Sequence, residues 1–144
     1  MSQKYHIEVL NWQSELQGQL KVVREEVFIK EQHVPLYIEW DEYDETAIHL
    51  LAVDTQGQAV GCARILVDQA KIGRMGVLKT WRGHGLGCAL LEKAIEICKS
   101  HHINRISLSS QTHAIKFYEK AGFMVVSEPY IDANIWHVDM QLAV

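Results

Sequence analysis

Polar and apolar positions change period several times along the chain, and each change marks an element. Tyr5-His6-Ile7-Glu8-Val9-Leu10 alternates and predicts a first strand. Ser14-Glu15-Leu16-Gln17 then has the form of a capping box, with Ser14 as N-cap and Gln17 reaching back. Leu16, Leu20, Val23 and Val27 follow at helical spacing, so the helix buries one face. The same helix is expected to run through the charged stretch Arg24–Gln32 until Pro35 stops it.

Ile48–Val53 and Val60–Val67 are strand-like runs separated by the turn Asp54-Thr55-Gln56-Gly57-Gln58, which predicts an antiparallel hairpin. Lys71–Leu78 extends this into a meander. It carries Gly73 and Gly76, and glycine inside a strand marks a bulge or a close backbone approach. A helix follows with Leu86, Leu90, Ala94 and Ile97 on one side. The strand Asn104–Ser110 is reached by this helical crossover, so it should lie parallel to its predecessor. Thr112 can cap a short helix through Ala114, Phe117, Tyr118 and Ala121, with Gly122 at its C-cap. Phe123–Val126 and Ile135–Leu142 predict a final strand pair, with Ser127–Asn134 as loop. The expected architecture is α/β (α+β): one domain over residues 1–144, a mostly antiparallel sheet of six to seven strands with a parallel pair at its middle, and about four helices.

Trp81-Arg82-Gly83-His84-Gly85-Leu86-Gly87 lies between the third meander strand and the long helix. Glycines at alternate positions disfavour strand and mid-helix, and they let backbone N–H groups approach a bulky ligand. A helix N-terminus there offers free N–H groups and the positive end of a dipole, a ready anion site. The P-loop pattern is absent, because no Lys-Ser/Thr follows the glycines. A dinucleotide turn needs GxGxxG in an early βαβ unit and an acidic residue after the next strand. Here the spacing is GxGxG and that strand ends Ser107-Leu108-Ser109-Ser110, so a nucleotide-binding oxidoreductase is a distant alternative.

Composition narrows the field further. At 144 residues, with 48% hydrophobic and 22% charged side chains, the chain matches a single globular domain. Fourteen basic against eighteen acidic groups leave a net charge of −4, which argues against nucleic acid as the main partner. No apolar run is long enough to span a membrane, and no signal core follows Met1. Cys62, Cys88 and Cys98 form no CxxC pair, which fits reduced, buried thiols in a cytoplasmic protein and gives no reason to expect a metal. Glu39-Trp40-Asp41-Glu42-Tyr43-Asp44-Glu45 holds five carboxylates in seven residues. It reads either as a solvated loop or as a mouth attracting a cationic amine.

Arg82-Gly83-His84-Gly85-Leu86-Gly87 resembles the Arg/Gln-x-x-Gly-x-Gly/Ala signature of the GNAT family of N-acetyltransferases. The order of elements around it is similar throughout the chain. Val23–Phe28 with Glu31-Gln32, then Glu39–Glu42 and His49-Leu50, resemble the ElaA/YjcF-like branch. The resemblance implies acetyl-CoA as co-substrate and a primary amine as acceptor, either a small molecule or a peptide amino terminus. A homodimer is a habit of the family.

Carried onto this chain, the resemblance puts the coenzyme A pyrophosphate on the N–H groups of Gly83, His84, Gly85, Leu86 and Gly87, with Arg82 adding charge. Met75, Val77 and Leu78 would contact the pantetheine arm, and a backbone N–H near Met75 or Gly76 would hold the oxyanion. Tyr118 stands where the family keeps a tyrosine that protonates the leaving thiolate; packing beside Phe117 is its structural alternative. Gln111 stands where many members have a cofactor-touching asparagine.

For deprotonating the amine the candidates are Glu31, Glu39, Asp41, Asp44, His49 and His113. Arg24, Arg64 and Arg74 suit a carboxylate or phosphate subsite, or pairs with Glu25 and Glu26. Arg24, Glu31, Asp41 and Arg74 are thus the candidate acceptor-binding residues. A domain of this kind that binds acyl-CoA without turnover would be a sensor module, which is the alternative to an enzyme.

Overall fold

The computed structural model describes residues 4–144. Among these residues eight strands form one sheet: β1 (Tyr5–Leu10), β2 (Ile48–Asp54), β3 (Ala59–Leu66), β4 (Lys71–Val77), β5 (Arg105–Gln111), β6 (Met124–Val125), β7 (Tyr130–Asp132) and β8 (Ile135–Ala143). Their order is β1-β2-β3-β4-β5-β8-β6, with β7 also on β8, and every pairing except β4–β5 is antiparallel. The α-helices are α1 (Gln17–Arg24), α2 (Leu36–Glu39), α3 (Leu86–Ser100) and α4 (Ile115–Glu119).

Alternate residues of one strand face opposite sides, and this sorts the core into two layers. Leu51, Val53 and Cys62 pack under Leu20, Val23, Val27 and Phe28. Leu50, Ala52, Ala63 and Ile65 face the other way, against Leu86, Leu90, Ala94 and Cys98 of α3. The sheet is therefore sandwiched, and its strand β2 is buried on both faces.

Local geometry departs from expectation in five places. No capping box forms at α1: Ser14 Oγ accepts only from the Leu16 N–H, and the Gln17 amide reaches the Trp12 carbonyl. The capping box sits instead at Asp41 and Asp44. After Arg24 the helix widens into a π-helical segment, Glu25–Glu31. This segment lies against the β4 Gly76, where an added Cβ would stand 3.0 Å from Val27 Cγ1 and 3.1 Å from Phe28 Cζ. Thr112 does not cap α4, whereas Gly122 does end it. Gly122 N–H bonds the Glu119 carbonyl and Phe123 N–H bonds the Tyr118 carbonyl, the paired bonds of a Schellman motif. Finally, the expected loop 127–134 contains β7, which turns into β8 through Ala133 (φ 49°) and Asn134 (φ 63°), both left-handed. Cys62 and Cys98 are buried but Cys88 is exposed on α3, and all three are free thiols.

Two irregularities of β4 position the site. Between Cys62 and Arg64 of β3 lies one residue, Ala63, but between the opposing Gly76 and Gly73 lie two, Arg74 and Met75. This is a β-bulge, and Arg74 takes φ 48° within it. On its other edge β4 pairs with β5 only at Lys71↔Ser107, after which the two strands part. A cleft of about 390 Å³ fills the opening.

Candidate active site

The cleft begins where β4 and β5 separate. Met75 lines it from the bulge, Tyr118 from α4, Gln111 and Ser109 from β5, and the β7–β8 hairpin closes one wall through Asp132 and Ile135. Tyr118 Oη lies 3.8 Å from Met75 Sδ, a weak sulfur acceptor and the only partner of the hydroxyl among the described residues. Phe117 and Phe123 pack edge-on against the Tyr118 ring. Burial pushes the phenol up to about 12, so it stays protonated at neutral pH. Gln111 gives its amide to the Gln32 side chain at 2.7 Å, across the cleft. His113 also lines the cleft and is exposed.

The glycine-rich turn lies beyond the end of β4. Gly83 (φ 79°) and Gly85 (φ 86°) adopt left-handed backbone, and Gly85 is the N-cap of α3 without any side-chain cap. An added Cβ would find open space at both, so conformation rather than crowding selects glycine there. The first intrahelical bond of α3 comes from Ala89 to the Gly85 carbonyl. The N–H groups from Gly83 to Cys88 make no hydrogen bond among the described residues. A run of free donors at a helix start fits a pyrophosphate.

Arg82 is placed differently from the expectation that it charges this turn. Its Nη1 and Nη2 hold both oxygens of Glu31 at 2.6 Å, and its Nε donates to the Val77 carbonyl at 3.0 Å. Arg82 thus ties the turn to the π-helical segment, and Glu31 is its partner rather than a free base. The backbone of Leu78 is likewise used internally, donating to Val60 and accepting from Trp81. The side chains of Val77 and Leu78 pack against the core cluster that α3 helps to form.

The acidic run is only partly a mouth. Three of its carboxylates are tied up by three arginines in the layer under α1. Arg24 gives Nε to Glu39 Oε2 (2.6 Å), Nη1 to Asp44 Oδ1 (2.7 Å) and Nη2 to the Glu39 carbonyl (2.7 Å). Its guanidinium also stands 4.8 Å from the Trp40 ring centroid. Arg64 Nη1 reaches Asp41 Oδ1 (2.7 Å) and Asp44 Oδ1 (3.0 Å). Arg74 reaches Asp41 Oδ2 (3.1 Å), Glu39 Oε1 (3.1 Å) and the carbonyls of Ile38 and Glu39. Burial raises the Asp44 carboxyl, but the hydrogen bonds and charges of Arg24 and Arg64 outweigh it and hold the group below the usual range. Burial likewise pushes the Glu39 carboxyl up, against the pull of Arg24 and Arg74.

Two sequence candidates are corrected by this network. Arg24 is fully buried with every guanidinium nitrogen occupied, so it is a structural cation and no acceptor ligand. His49 is fully buried, and its Nε2 donates to the Asp44 carbonyl at 2.9 Å because a carbonyl can only accept. Burial depresses its pKa, and Trp12 covers the ring at 5.1 Å, so His49 cannot reach a substrate. Glu39 borders the cleft but is 2% exposed with both oxygens paired. Of the proposed bases only Asp41 and His113 present accessible surface inside the cleft. Sequence reasoning overlooked Gln32, and it did not foresee that Asp132 and Ile135 would wall the cleft from the β7–β8 hairpin.

Residues 3–144 match the family model described as the Acetyltransferase (GNAT) domain. The chain belongs to the GNAT acetyltransferase family. It is 36% identical to the uncharacterized N-acetyltransferase YjcF of Bacillus subtilis over 121 residues, covering 82% of this chain and 86% of that protein. The ElaA protein of Escherichia coli is 32% identical over 121 residues, or 79% of this chain and 78% of ElaA. Its crystal structure superposes with a TM-score of 0.83 at 30% identity, covering 96% of this chain and 99% of that one. An acyl-CoA N-acyltransferase from Pseudomonas aeruginosa superposes with a TM-score of 0.85 at 28% identity, over 97% and 100% of the two chains. This GNAT chain is accordingly an N-acetyltransferase by family.

Proposed function

We propose that this chain moves an acetyl group from acetyl-CoA directly to the nitrogen of a primary amine, with Tyr118 as general acid. The reading is carried by the Tyr118 hydroxyl, which faces Met75 at the β4 bulge in the gap between β4 and β5. The free N–H groups of Gly83–Gly87 hold the pyrophosphate, and backbone N–H at Met75 or Gly76 meets the developing oxyanion. A neutral amine attacks the thioester carbon, a C–N bond forms, and the C–S bond breaks. Tyr118 gives its proton to the departing sulfur, and the nitrogen's surplus proton leaves through water or through Asp41 or His113. The existing partner of Tyr118 Oη is another sulfur, held only weakly, so little is lost when the leaving sulfur replaces it.

The test is free-thiol release from acetyl-CoA in the presence of polyamines, amino sugars, amino acids and peptides. Turnover with one of these classes supports the enzyme. Tight coenzyme A binding without thiol release across the whole panel means a sensor module instead.

A further inference from the structure

The carboxylates under α1 exhaust Arg24 but do not exhaust Arg64 or Arg74. Arg64 is 5% exposed and lines the cleft. Its Nη1 serves both Asp41 and Asp44, yet its buried Nε has no partner and its Nη2 makes no hydrogen bond among the described residues. Arg74, also in the cleft wall, bonds through Nε and Nη2 and leaves Nη1 without an acceptor among the described residues. A buried donor left unpaired is costly, and a ligand acceptor relieves that cost. The Nε and Nη2 of one guanidinium form a flat edge with two near-parallel N–H bonds, the shape that a carboxylate meets with both oxygens.

We propose that the acceptor amine also carries a carboxylate, and that this carboxylate seats on the Nε/Nη2 edge of Arg64 with Arg74 Nη1 beside it. The proposal rests on the acyl-transfer reading and names its substrate class: a small amino acid-like molecule. Charge bears on which anion fits. Arg24, Arg64 and Arg74 are balanced by Glu39, Asp41 and Asp44, so one added negative charge costs the layer less than the two of a phosphate monoester, and the unpaired N–H groups rather than net charge attract it. Size agrees, because about 390 Å³ suits an amino acid beside the end of a pantetheine arm. Position agrees as well. Arg64 and Arg74 line the cleft where they meet Asp41 and Glu39, while Met75 and Tyr118 line it where they pack on the α3-side core, so a molecule bound by its carboxylate can extend its other end toward the reacting bond.

Thiol release with acetyl-CoA should be compared for amino acids and for the matching amino-acid amides. The acids are expected to exceed their amides by about 10- to 100-fold in kcat/KM, the range of a charged hydrogen-bonded pair. Arg64→Lys keeps a cation for Asp41 and Asp44 but loses the two-N–H edge, and it should bring the acid-to-amide ratio close to one, chiefly through KM. Equal turnover of acids and amides by the parent protein overturns the proposal, as does an unchanged ratio in Arg64→Lys. A second readout is independent of chemistry: thermal stabilisation by N-acetyl amino acids against N-acetyl amino-acid amides, with coenzyme A present. Stabilisation by the acids alone, lost in Arg64→Lys, supports the carboxylate seat even where no thiol is released, and then only the acyl-transfer reading fails. Equal or absent shifts overturn the seat.

Discussion

Arg82 and Glu31 form a two-pronged ion pair, both N–O distances 2.6 Å, that bridges the glycine-rich turn and the end of the π-helical segment. Both side chains are about 40% exposed, at 41% and 39%, so the pair adds little to global stability. Its consequence is positional, because the third donor of Arg82 holds the Val77 carbonyl at the end of β4. Arg82→Lys keeps the charge but loses the fork and the Nε bond. It is expected to weaken coenzyme A binding several-fold by calorimetry, roughly as much as Arg82→Ala, by the geometric difference between the two cations. Full affinity in Arg82→Lys would instead show that charge alone matters.

Tyr118→Phe removes a hydroxyl whose sole partner among the described residues is Met75 Sδ, so stability should change by less than about 1 kcal/mol. The rate of thiol release should fall by about 100-fold or more, as for loss of a general acid. Since burial pushes Tyr118 up to about 12, the parent enzyme should show no alkaline loss of activity from this group below pH 10 or so. An unchanged rate in Tyr118→Phe removes it from the acid role.

Gly76→Ala places a methyl group 3.0 Å from Val27 Cγ1 and 3.1 Å from Phe28 Cζ, where the π-helical segment crosses the bulge. Overpacking of this kind should cost about 1–3 kcal/mol in urea denaturation. It should also slow turnover beyond what the stability loss explains, because the same bulge sets Met75 opposite Tyr118.

His49 is buried neutral with a depressed pKa, so the unfolded chain binds its proton more readily than the folded one. The stability this represents is present above the ordinary histidine value and drains away as pH falls below it, at up to about 1.4 kcal/mol per pH unit. Urea midpoints between pH 7 and pH 5 should fall in the parent. In His49→Gln they should start lower at pH 7 and fall less steeply. Parallel curves would show that another group carries the acid sensitivity.

His102 sits at φ 62° just past α3, with the Ile103 N–H bonded back to the Cys98 carbonyl. Glycine is the residue this position prefers, so His102→Gly should stabilise the fold by about 1 kcal/mol in thermal denaturation. A lower Tm would mean that the imidazole contributes more than its backbone costs.

The sequence by itself determined the periods of the strands and helices, the β2–β3–β4 meander, the parallel crossover through α3 and the glycine-rich turn. These are local properties: alternation, helical spacing and left-handed glycine are set by each residue and its near neighbours. The hairpin of β7 and β8 escaped because its turn is Ala133-Asn134, a pair without the glycine that usually announces left-handed backbone. The tertiary structure alone decided the charges. Arg24 meets Asp44 across 20 residues and Arg82 meets Glu31 across 51, and no local pattern specifies which acid a guanidinium will find. Five carboxylates in seven residues read either as a solvated loop or as a mouth for a cation. Folding neutralises three of them with arginines in a mostly buried layer, where an unpaired charge is costly to keep. What folding leaves unpaired in the cleft wall, among the described residues, is the Arg64 Nε.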